Sequence, residues 1–200
     1  MASRQLPERV GEESWEQFCG RVDAAVAGYL RGAPARVTYK NWCVTLDTNV
    51  VPAGAAASVV TRMRAPFAGG RGFRFKLQRR DLLDALAARL RIHSSETGQA
   101  EFDREFVVRS NDDEKVRRLF ADTDIRRLVR SQSSINLELR DDDGPFGATL
   151  PEGVDELVLR ASGFLTDAEQ LRRLFALFAL TLDRLCETGA ACADEPGVRL

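Results

Sequence analysis

An α+β fold is predicted, with antiparallel strands in two groups packed against an N-terminal amphipathic helix and a buried C-terminal helix. Three observations carry the prediction. Trp15, Phe18, Cys19, Val22, Val26, Tyr29 and Leu30 fall at helical spacing. Stretches near 36–77 and 101–161 hold runs of alternating apolar and polar residues, as strands with one covered face do. Residues 167–188 are apolar around most of a helix, which needs cover on more than one side. Strand groups that are each followed by a helix point to α+β, not to a doubly wound sheet.

The first helix has capping-box residues Ser14 and Gln17 at its start and Gly32 and Pro34 at its end. Period-two alternation then runs from Arg36 to about Val51, with a phase shift at Lys40-Asn41 that reads as a bulge or tight turn. Asp47-Thr48-Asn49 reads as a turn. The next strand sets Val59, Thr61 and Met63 against Arg62 and Arg64, and FRFKL sets Phe73, Phe75 and Leu77 against Arg74 and Lys76. Between them, Gly69-Gly70-Arg71-Gly72 leads into a strand, so it reads as a hairpin loop and not a phosphate loop.

A short helix is expected over 81–90, then a strand at RIHSSE. Phe102, Phe106 and Val108 read as a further strand. Ser110 or Asn111 would cap the helix that buries Val116, Leu119 and Phe120, and Asp122 or Asp124 would open the next. INLELR is the clearest strand, Asp141 to Gly144 is a turn, residues 146–149 offer a return, and 156–161 form the last strand. Thr166 and Glu169 have capping-box spacing for the final helix, which Gly189 ends. The expected organisation is a single domain over 12–188 with flexible tails at 1–11 and 189–200. Its alternative is a two-part organisation, 12–91 and 92–188.

The 200 residues carry 29 basic and 30 acidic side chains, so no net field draws the chain to polyanions. All basic residues except Lys40, Lys76 and Lys115 are arginine, which with abundant alanine reads as codon bias. No run of 18 apolar residues occurs, so no membrane span is expected, and the default location is cytoplasmic. Cys19, Cys43, Cys186 and Cys192 lack metal-ligand spacing and His93 is the single histidine, so neither metal nor cofactor is expected.

Phe102-Asp103, Phe106, Val108, Ser110 and Asp112 form the pattern F-D-x-x-F-x-V-x-S-x-D. With the segment from about Ser95 to Glu187, this pattern resembles a family of uncharacterised bacterial proteins, a domain of unknown function. The resemblance implies an α+β domain and a bacterial source, and it supplies no activity. Phe102, Asp103, Phe106, Ser110 and Asp112 therefore stand as motif residues without a carried-over role.

Enzyme chemistry has little support. His93 alone would serve any histidine-dependent base, no G-x-S-x-G is present, and 30 acids leave paired-carboxylate chemistry unassigned. The leading expectation is a non-enzymatic bacterial binding or protein-interaction domain, its partner another protein or a second copy. One alternative is nucleic-acid or other anion binding. Arg62, Arg64, Arg71, Arg74, Lys76, Arg79 and Arg80 fall within nineteen positions, and Arg62, Arg64, Arg74 and Lys76 would share one face if the two flanking strands paired. Internal acids are expected to offset most of that charge. The remaining alternative is an enzyme of unrecognised class.

Overall fold

The computed structural model describes residues 15–53, 56–68, 72–80, 94–141, 150–151 and 153–191. The expected helix over 81–90, His93, the return over 146–149, Ser14, Arg71 and Cys192 lie outside the described residues. Five helices and seven strands occur among the described residues. In chain order they are α1 (Trp15–Leu30), β1 (Ala35–Tyr39), β2 (Trp42–Ala53), β3 (Ala56–Ala68), β4 (Phe75–Arg79), α2 (Ala100–Glu105), β5 (Phe106–Ser110), α3 (Asp113–Phe120), α4 (Thr123–Arg130), β6 (Asn136–Arg140), β7 (Val154–Ser162) and α5 (Ala168–Glu187).

The strands form one antiparallel sheet in the order β1-β2-β3-β7-β6-β4-β5. The two strand groups are thus interleaved in one sheet: β7 and β6 lie between β3 and β4, and β4 sits between β6 and β5. Leu46, Met63, Leu159, Leu137, Leu77 and Val108 stand in register across six strands, all on the helix-covered face. Each is at most 2% exposed. α5 lies between α1 on one side and α3 and α4 on the other, and Leu174, Phe175, Leu177, Phe178 and Leu182 are all buried. Its nearly all-round apolar surface is explained by that central place. Asp183 ties it to the first hairpin, accepting from Tyr39 Oη at 2.7 Å and Lys40 Nζ at 2.5 Å. Lys40 has φ +49, the left-handed geometry of a two-residue hairpin turn, so the phase shift at Lys40-Asn41 is a tight turn.

Several local expectations are corrected. Asp47-Thr48-Asn49 is no turn but the middle of β2, paired with Thr61 and its neighbours on β3. Its polar side chains find partners there: Arg62 donates twice to Asp47, and the Asn49 Oδ1 accepts from the Val50 N–H. Phe102 lies on α2, and the strand starts only at Phe106. The i, i+4 spacing of the two rings fits one helical turn as well as it fits alternation. Their centroids are 4.7 Å apart, and Phe102 also packs on Phe120 at 5.5 Å. The cap of α3 is Asp112, and that of α5 is Asp167, not Thr166. Asp122 caps α4. Past Gly189, Ala190 and Ala191 are buried and their N–H groups reach the Leu185 carbonyl, so the helix end is packed down rather than loose.

Candidate functional site

The sheet face away from the helices carries the charged half of each alternating strand. β3 does not pair with β4 across the glycine-rich loop, as the shared cationic face would need; β7 and β6 lie between them. Arg62 and Arg64 are therefore separated from Lys76 by two strands. Arg79 and Arg80 leave this surface altogether. Arg79 Nη2 donates to the Gln132 carbonyl at 2.8 Å with its guanidinium over the Phe106 ring, and Arg80 Nη2 donates to the Asp103 carbonyl at 3.1 Å.

The intervening strands supply acids. Arg62 makes a two-point pair with Asp47, both contacts 2.9 Å. Glu156 on β7 is 0% exposed and is held between Arg64 at 2.6 Å and Arg140 at 2.7 Å. Such a carboxylate survives burial only with charged partners on its oxygens. Glu138 on β6 pairs with Arg160 and lies 3.6 Å from Lys76 and 3.8 Å from Arg140. Arg74 reaches Asp155 at 2.7 Å and Asp141 at 2.9 Å. Burial opposes the Arg74 charge, but these carboxylates outweigh it and raise its pKa. Burial pushes the Asp155 carboxyl up despite Arg74, whereas Arg74's hydrogen bond pulls the more exposed Asp141 down. Arg62, Arg64, Arg74 and Lys76 all have acidic neighbours.

At one end of this face, where β4 begins and β5 and β6 end, an open pocket of about 390 Å³ is lined by Arg74, Lys76, Arg109, Ser110, Glu138 and Arg140 among others. Arg109, Glu138 and Arg140 join residues that sequence alone singled out. Alternation in FVVRS and INLELR already turned their side chains outward, but nothing local showed that they meet.

The motif residues are occupied within the fold. Asp103 Oδ1 accepts from the Thr97 N–H at 3.1 Å and hydroxyl at 2.7 Å, closing the turn before α2. Ser110 Oγ donates to the Arg74 carbonyl at 2.8 Å, and Asp112 Oδ1 accepts from the Lys115 N–H at 3.0 Å as the α3 cap. Phe102 and Phe106 are buried. The pattern thus ties β4, β5 and α3 together.

A second feature lies at the opposite edge of the sheet. β1 covers β2 only as far as Leu46, and the β7 ladder covers β3 only from Thr61, so residues 47–53 and 56–60 extend as a two-stranded ribbon. At its base, buried Thr61 Oγ1 donates to the Gly163 carbonyl, accepts from the Leu165 N–H and meets Tyr29 Oη at 2.8 Å. The large hydrophobic residues exposed among the described residues are Val50, Val59, Phe164 and Leu30, at 60%, 42%, 45% and 38%. All belong to this region. Val50 and Val59 are cross-strand partners, the Gly163 N–H bonds the Val59 carbonyl, and Phe164 packs on Tyr29, the residue before Leu30.

Among the described residues no group of three or more His, Cys, Asp or Glu side chains could hold a metal ion, and no helix is long and apolar enough to cross a membrane. Comparison with known proteins finds no matching family model, no similar curated protein and no similar solved structure.

Proposed function

We propose that this chain is a non-enzymatic binding domain that takes an extended segment of another protein along the β2–β3 ribbon. The carrying observation is the gathering of Val50, Val59 and Phe164, all well exposed, on and beneath a ribbon whose outer backbone lacks a strand partner among the described residues. An unpaired strand edge offers a ladder of N–H and C=O groups, and neighbouring apolar side chains supply selectivity. β2 runs about seven residues beyond β1, enough for a segment of about 23 Å in extended form. The free thiols of Cys19 and Cys43 support a reducing, cytoplasmic setting, and the Arg- and Ala-rich composition supports a bacterial source.

The test is selection of displayed random peptides on the immobilised protein, followed by titration of the winners. Peptides with alternating apolar residues should bind with Kd of about 1–100 μM. Val59→Lys with Phe164→Ser should weaken them at least tenfold with the melting temperature kept. Failure to enrich any peptide, or peptides indifferent to both substitutions, would overturn the reading. A concentration-dependent dimer lost in the same variant would replace it with self-association.

A further inference from the structure

One contact fixes the direction of the backbone groups along the ribbon. The Gly163 N–H donates to the Val59 carbonyl at 2.8 Å, so Val59 turns its backbone away from β2. Val59 stands opposite Val50, and pairs in an antiparallel ladder alternate between those that exchange hydrogen bonds and those that do not. Thr48–Thr61, Val50–Val59 and Pro52–Ala57 are therefore the unbonded pairs of β2 and β3. Thr48, Val50 and Pro52 turn their backbone groups to the open edge of β2 instead. The first hairpin gives the same phase. Its two-residue turn makes Tyr39–Trp42 a bonded pair, so Val44 and Leu46 face β1, and Thr48, Val50 and Pro52 continue their line.

That open edge is short of donors. Proline has no N–H. The Val50 N–H is taken by the side chain of the preceding residue, Asn49 Oδ1 at 2.9 Å. Among the described residues the Thr48 N–H is then the donor left beside the carbonyls of Thr48, Val50 and Pro52. A bare strand edge is a template for pairing with other chains, and removing its donors blunts it.

We infer that Asn49 and Pro52 guard this edge: it rejects a second copy of this chain and admits an extended segment of a different protein, to which Asn49 yields the Val50 N–H. The inference rests on the ribbon reading and names its edge and its partner. Two copies paired along this edge would bring together two prolines and two occupied Val50 amides, with carbonyls facing carbonyls. A foreign segment meets each obstacle once. Its N–H groups match the Thr48 and Val50 carbonyls. Its own carbonyls take the Thr48 N–H and, once Asn49 swings aside, the Val50 N–H. Pro52 ends the ladder, so the segment pairs over residues 47–51.

Titration of the selected peptides against the full chain tests the guard. Asn49→Ala frees the Val50 N–H and should tighten them about three- to tenfold, since no bond has to be displaced. Asn49→Asp holds the same N–H with a carboxylate and should weaken them by about the same factor. Melting temperatures should stay near the wild-type value in both, whereas a merely structural Asn49 would lower affinity and melting temperature together. Peptides that need Val59 and Phe164 but are indifferent to both Asn49 variants would overturn this inference and leave the ribbon reading standing. No enriched peptide would remove both. Sedimentation tests the guard without any peptide: at about 100 μM the wild type should be monomeric, and Asn49→Ala with Pro52→Ala should associate. A wild-type dimer, or a double variant that stays monomeric, would overturn the inference.

Discussion

The two faces of the sheet obey the same alternation and stabilise the fold by different means. On the helix-covered face, Leu46, Met63, Leu137, Leu157 and Leu159 are fully buried, and any apolar side chain of fitting volume meets the requirement. On the other face the same strands present Asp47, Arg62, Arg64, Glu138, Arg140, Glu156 and Arg160, each of which needs a particular partner at a particular place. The core is tolerant in detail and intolerant of charge. The ion network is specific in detail, and its net worth is small next to the cost of breaking it.

Three substitutions break or sharpen that contrast, in falling order of effect. Phe178→Asp sets an unpaired carboxylate at a 0% exposed position of α5. It should cost at least about 4 kcal/mol, most of a domain's stability, and circular dichroism should find no cooperative melt. A folded Phe178→Asp protein would mean that α5 is not central to the core.

Next, Glu156→Ala leaves Arg64 and Arg140, both largely buried, without their shared carboxylate. A loss of about 3 kcal/mol in urea denaturation is expected, whereas replacing all three by Met or Leu should restore stability to near the wild-type value. If the single substitution were neutral, the open face would be a solvated surface and the contrast would fail.

The smallest effect is at Asp112, which separates capping from ion pairing. Asp112→Ala should cost about 1 kcal/mol through loss of the α3 cap, and Asp112→Asn much less. The Lys115 backbone N–H holds the Asp112 carboxyl below its usual pKa. Its folded pKa being the lower, the carboxylate stabilises the fold above the unfolded pKa of about 4 and loses that contribution as pH falls through the folded value. Stability curves of wild type and Asp112→Asn should therefore converge in that acid range. Parallel curves would remove the charge from the account of this cap.

Much of the molecule was legible residue by residue. The α1 stripe, the β1–β2 turn at Lys40-Asn41, the inward faces of β3, β4 and β6, and the burial of α5 all follow from periodicity, which consecutive residues encode on their own. The misread places are those where a local signal fits two structures. Phe102 and Phe106 suit a helical turn or a strand, and on α2 the Phe102 ring stacks on Phe106 and packs against Phe120. Asp47-Thr48-Asn49 suits a turn, but cross-strand partners on β3 hold it extended. Of the candidate site, the sequence placed Arg62, Arg64, Arg74 and Lys76 on outward faces and left open what they meet.

By itself the sequence determined the α+β class, the core-facing sides of β3, β4 and β6, the apolar stripe of α1 and the need of α5 for cover on more than one side. Only the tertiary structure decided that β7 inserts beside β3, that β4 joins β5 and β6, and hence that Arg64 finds Glu156 while Lys76 faces Arg109. The reason is physical. Side-chain alternation is a property of neighbouring residues, but strand pairing is made by backbone groups that are alike at almost every position. Which strands pair is settled by how the apolar faces pack together under the helices, and the partners of every charge on the far side follow from that choice.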